Sequence, residues 1–155
     1  MTGYQTALGP HASVLLTVTP QGTPHYQAEV GAWAGSARFE NTFEGHEGMG
    51  YVTGLESVGS SVALGIGVPK AGTRRLGCRV ANSTGSPSAL TVRALNPETG
   101  HVHGSAVLHI PSTSAWTSWQ TVPVTLTMAA GTNLVVLGAE SSDHGGVNLD
   151  YVVLV

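Results

Sequence analysis

The chain has 155 residues with a net charge of −3, 41% of them hydrophobic and only 10% charged. That length suits one domain with its own core, and six Lys and Arg are too few for a phosphate-neutralising stripe, which argues against a nucleic-acid partner. No apolar run reaches the ~20 residues of a bilayer span, and a lone Cys78 excludes an intrachain disulfide or a cysteine-based zinc site.

Residues 1–24 stand apart. Ala12–Val18 reads as one strand, and the Pro-, Gly- and Thr-rich stretch Thr19–Pro24 reads as a linker. The strand is either the first of the same domain, 25–155, or a remnant of a preceding module. From Tyr26 onwards helical periodicity is nearly absent. Short apolar alternations recur about every ten residues, separated by Gly, Pro or Asn, the pattern of an all-β sandwich. Tyr26–Val30 reads as a strand that puts Gln27 and Glu29 on one face. Val62, Leu64, Ile66 and Val68 alternate next, and a second strand sends Leu76, Cys78 and Val80 inward with Arg75 and Arg79 outward. Leu90–Ala94, Val122–Met128, Leu134–Leu137 and Val147–Val155 follow. The reading is eight or nine strands in two antiparallel sheets.

Some polar residues conflict with this pattern. Asp150 lies between Leu149 and Tyr151 in an apolar strand, and a buried carboxylate needs a cation. A calcium ion held by Gln27, Glu29 and Asp150 would supply one, because it takes six to eight oxygen ligands. Alternatively, these side chains face water at a sheet edge. Among the few aromatics, Trp116 falls in a loop while Trp119 starts a strand and is expected to pack as core. An exposed Trp116 face would suit the C–H face of a pyranose, with Tyr51 as a second ring; covering the core is the competing role for both. His101 and His103 alternate on one strand and could be paired metal ligands, but spacing suggests no third ligand, and surface histidine is the better reading for both. His46 and His144 likewise read as surface histidines, and Asn82-Ser83-Thr84 matches a glycosylation acceptor.

Several segments share an order and spacing with a known family. They are Tyr26-Gln27-Ala28-Glu29, Gly48-Met49-Gly50-Tyr51-Val52, Val68-Pro69-Lys70-Ala71-Gly72-Thr73 and Arg79-Val80-Ala81-Asn82-Ser83-Thr84-Gly85. Trp116-Thr117-Ser118-Trp119-Gln120-Thr121-Val122 and Val147-Asn148-Leu149-Asp150-Tyr151 complete the series. From Tyr26 to Val155 the chain resembles a family 35 carbohydrate-binding module, close to family 6. The resemblance implies a β-sandwich of jelly-roll type that binds sugars without chemistry. It also implies a structural calcium held by Gln27, Glu29 and Asp150, and a loop pocket lined by Tyr51, Trp116 and Asn148 with Asn82 added. His46-Glu47 departs from the family pattern, and Glu47 is placed against a sugar hydroxyl or a second calcium. The expected ligand is a terminal uronic acid or galactose-type sugar. The module would be a secreted monomer that targets an attached glycoside hydrolase to plant or microbial polysaccharide. Leu8–Leu16 likewise resembles the last strand of the β-domain that ends many glycoside hydrolases. The competing functions are a small hydrolase using Glu44 and Glu47 as its carboxylate pair, and a protein-interaction sandwich.

Overall fold

The computed structural model describes residues 22–140 and 146–155. The expected strand Ala12–Val18, the remnant assignment and His144 fall outside them. Among the described residues there is no α-helix. Eleven strands run in chain order: β1 (His25–Gln27), β2 (Ala32–Ala34), β3 (Arg38–Glu40), β4 (Tyr51–Thr53), β5 (Ser61–Val68), β6 (Gly72–Ala81), β7 (Ser88–Leu95), β8 (Val102–Ile110), β9 (Gln120–Met128), β10 (Gly131–Gly138) and β11 (Asn148–Leu154).

They form two antiparallel sheets, as expected. One has the order β3-β4-β11-β6-β9, with β1 also paired to β11; the other is β2-β5-β10-β7-β8. The long strands form where side chains alternate. Val62, Leu64, Ile66 and Val68 are all at most 4% exposed, and they meet Leu76, Cys78 and Val80 of the opposite sheet in one core. Cys78 has no exposed surface, and burial pushes its thiol up to about 12, so it packs as a small apolar side chain. Removing a core side chain such as Ile66 or Leu76 would cost about 2–5 kcal/mol.

Two local features differ from the sequence reading. Tyr26–Val30 is not one strand: β1 stops at Gln27, and Ala28–Val30 forms a single 3-10 turn. The strand count is also higher, because β2, β3 and β4 are three residues each, too short to show an alternation. The register of β11 against β6 shifts between Leu149 and Tyr151, which makes Asp150 the extra residue of a β-bulge. A bulge re-aims a side chain, and here it turns Asp150 inward until none of it is exposed.

Candidate functional site

The loop from Asn41 to Gly50 joins β3 to β4 and carries most of the chemistry. Side chains of β6 and β11, of the 3-10 turn after β1 and of Trp119 just before β9 hold its backbone at four points. Trp119 Nε1 donates to Glu44 O at 2.9 Å, and Arg79 Nη2 donates to Gly45 O at 2.7 Å. Glu47 N donates to both oxygens of Asp150 at 3.0 and 3.1 Å, and Met49 N donates to Glu29 Oε1 at 3.2 Å. Each bond satisfies a loop group that would otherwise need water, so the loop has one defined path.

On its outer side the loop presents Phe43 to Trp116, which lies in the loop before β9. The two rings are stacked at 6.0 Å and 23°. Trp116 is half-buried, as expected of a loop indole. Phe43 is the aromatic that sequence reading missed, since a lone Phe in a polar loop has no periodicity to mark it. Together these rings form one wall of a cavity of about 380 Å³, which also exposes Arg38, Glu40, Glu56 and Asn148. Asn148 is only 3% exposed, and its amide makes no hydrogen bond to another described side chain or backbone group. It lines the cavity with its polar atoms turned to no described partner. Arg38 Nη2 approaches Glu40 Oε1 at 3.4 Å, which pins one wall.

Tyr51 takes a different place. It has no exposed surface, so its ring cannot be a stacking face. It lies behind the wall instead, stacked on Phe43 at 6.5 Å and tilted against Trp119 at 5.3 Å. Burial, aided by the Glu40 carboxylate, raises its phenol above the ordinary tyrosine value. Its hydroxyl donates to Glu40 Oε2 and receives the Phe43 N–H, both at 3.4 Å. Trp119, by contrast, is not a core residue. It is half-buried beside Tyr51, with Arg79 over its ring at 6.0 Å, because its N–H must reach a loop carbonyl.

Asn82 is fully buried and fully engaged. Its amide donates to Ser86 O at 2.9 Å and Ile110 O at 3.2 Å, and its Oδ1 accepts from Thr84 N and Oγ1. Its backbone oxygen accepts from Thr113 Oγ1 at 3.0 Å. Asn82 therefore ties Thr84, on the cavity wall, to the segment leading into Trp116, and it has nothing left to offer a ligand. Glu47 is absent from the cavity as well. Its carboxylate turns towards β1, 2.9 Å from His25 Nδ1, and receives Gln27 Nε2 at 2.6 Å. Neither Glu44 nor Glu47 lines the cavity.

Gln27, Glu29 and Asp150 gather beneath this loop. Gln27 Oε1 and Glu29 Oε2 are buried with no hydrogen-bond donor among the described residues. Gly48, with φ +68°, passes so close that a Cβ there would lie 2.5 Å from Glu29 Oε1 and 3.3 Å from Gln27 Oε1. Orphaned oxygens of this hard type fit calcium. No three His, Cys, Asp or Glu side chains cluster as metal ligands among the described residues, so an amide and backbone carbonyls would have to share the shell. Asp150 also has a cation that sequence distance concealed. Arg79 Nε approaches Asp150 Oδ2 at 3.1 Å, an ionic contact whose angle is too poor for a hydrogen bond. Burial pushes Asp150 up to about 6, against the pull of the Glu47 N–H and Arg79, while Glu29 adds to the rise.

The profile of carbohydrate binding module (family 6) matches residues 27–155. Isomalto-dextranase of Arthrobacter globiformis is 36% identical over 160 residues, which cover 96% of this chain and 25% of that enzyme. The structure of that enzyme complexed with panose superposes with a TM-score of 0.81 and 33% identity over 86% of this chain and 23% of its own. A family 35 module from Clostridium thermocellum gives 0.73 and 27% identity, covering 86% of this chain and 97% of the module. Another family 35 module, in complex with a glucuronic acid-containing disaccharide, gives 0.71 and 25% over 84% and 91%. The chain thus spans about a quarter of its enzyme relative but nearly the whole of the isolated modules. It belongs to the family 6 carbohydrate-binding modules, with the jelly-roll sandwich of family 35, and is a non-catalytic domain of the kind appended to glycoside hydrolases.

Proposed function

We propose that the cavity between Phe43 and Trp116 takes the non-reducing terminal glucosyl unit of a neutral α-glucan. The observation that carries this reading is the mixed lining: two stacked rings beside Asn148, Glu40, Glu56 and Arg38. The rings cover the C–H face of a pyranose, while the amide and carboxylates meet its hydroxyls. Two carboxylates face one guanidinium, and Arg38 is already paired with Glu40, so a uronate would meet net repulsion. The relative of higher identity, named for isomalto-dextran and complexed with panose, supports a glucose polymer.

The module would hold an attached glycoside hydrolase on its polysaccharide outside the cell, acting as a monomer. A calcium ion at Gln27, Glu29 and Asp150 would supply positive charge to buried oxygens. The chain's own contribution there is to join the 3-10 turn after β1, β11 and the Asn41–Gly50 loop through Glu29 and Asp150. The uronic acid or galactose-type ligand is the competing reading, supported by the glucuronic acid complex of the second family 35 module. Calorimetric titration with isomaltotriose, galactose and glucuronic acid decides between them. Saturable binding of isomaltotriose alone is expected; binding of glucuronic acid or galactose without isomaltotriose would overturn the assignment.

A further inference from the structure

We infer that His101 and His103 form a binding site for a borderline transition-metal ion such as Cu²⁺, Ni²⁺ or Zn²⁺, at the end of the sandwich opposite the sugar cavity. The two rings have centroids 5.2 Å apart and meet edge to face. Alternate residues of a regular strand stand about 6.6 Å apart along its axis, so these rings converge. The cause is local: the register of β8 against β7 slips so that Ala94 faces Gly104 and Leu95 faces Val102, leaving His103 as the extra residue of a bulge.

His101 is fixed from the other side by the turn that precedes it. Asn96 N donates to His101 O at 2.8 Å, His101 N donates to Thr99 Oγ1 at 3.3 Å, and Asn96 Oδ1 accepts from Glu98 N and Thr99 N. Neither imidazole is hydrogen-bonded to another described residue, so both rings keep nitrogens for an external ligand. A metal–nitrogen bond of about 2.0–2.1 Å puts each ring centroid about 3 Å from an ion, and a tetrahedral angle then separates two centroids by about 5 Å. The observed spacing is close to that value, and rotation about the side-chain torsions from the present 72° edge-to-face tilt turns a nitrogen of each ring towards one ion. With no third side-chain ligand among the described residues, water completes the shell. Imidazole selects borderline ions over hard ones, with Cu²⁺ bound most tightly. β8 runs about 26 Å from Val102 to Ile110, so occupancy here leaves the Trp116 end undisturbed.

The test is a calorimetric titration of the whole chain with Cu²⁺ in a non-chelating buffer, with the His101 and His103 imidazole proton resonances followed by NMR. One ion is expected to broaden both resonances together. His101→Asn and His103→Asn should each lower that affinity by about tenfold or more by breaking a two-point attachment, with unchanged melting curves for the metal-free protein. His109→Asn, an exposed residue further along β8, should bind as the parent does. Unchanged affinity in the His101 and His103 variants, or no saturable binding up to millimolar Cu²⁺, would overturn the assignment.

Discussion

Phe43 and Trp116 lie with ring planes 23° apart and centroids 6.0 Å apart, although one comes from the loop before β4 and the other from the loop before β9. Half-exposed stacked rings contribute little to folding but offer a ready apolar wall to a sugar. Phe43→Ala and Trp116→Ala are each expected to lower glucan affinity by about tenfold or more, since covering an aromatic side chain is worth about 1.5–3 kcal/mol. Calorimetric titration measures this, and circular dichroism should show an unchanged β signal. Undiminished affinity in either variant would remove that ring from the site.

Arg79 holds three things at once. It pairs with buried Asp150, bonds Gly45 O, and sits between the rings of Trp119 and Tyr151 at 6.0 and 5.8 Å. Arg79→Ala would leave an uncompensated carboxylate in the interior, at a cost of about 3 kcal/mol. Asp150→Asn in the same chain should recover part of that loss. Urea unfolding of the two single variants and the double variant gives the coupling energy; strict additivity would show that the pair does not interact.

The orphaned oxygens of Gln27 and Glu29 give calcium a measurable signature. A ligand that binds only the folded state raises its melting point, so EDTA should lower the melting temperature and added Ca²⁺ should restore it. Gly48→Ala, which drives a methyl group onto Glu29 Oε1, should abolish that response. A melting curve indifferent to both EDTA and Ca²⁺ would count against the ion.

Asn82→Ala should act through stability. It removes the amide donor from the carbonyl of buried Ile110, at about 1–3 kcal/mol for a group left buried without a partner, while exposed Ser86 O keeps Thr84 Oγ1. Thermal melts should register the loss. The order of preference among sugars should stay that of the parent chain, because no atom of Asn82 is free to contact them. A changed order would restore Asn82 to the binding face.

What sequence reading captured and what it missed follow one rule. The runs at Val62–Val68, Leu76–Val80 and Val122–Met128 declare themselves through period-two burial, and from them the two-sheet architecture follows. Trp116 and Asn148 sit at family-motif positions, and both line the cavity. Phe43 was not legible, since a loop has no period. The Arg79–Asp150 pair was hidden because it depends on strand register, which sets Arg79 opposite Tyr151 around a bulge. The 3-10 turn at Ala28–Val30 was missed for the converse reason: its composition alternates like a strand, but the chain must bend there. Tyr51 and Asn82 fell at motif positions, yet burial gave them supporting roles.

The most direct test is the indole N–H region of a ¹⁵N-labelled sample during titration with isomaltotriose. Trp33, Trp116 and Trp119 each give one signal, assigned by substitution. Binding at the Phe43–Trp116 wall predicts a saturable shift of the Trp116 signal, a smaller one at Trp119 behind it, and none at Trp33 on β2. A shift confined to Trp33, or saturation with Trp116 unmoved, would contradict the account.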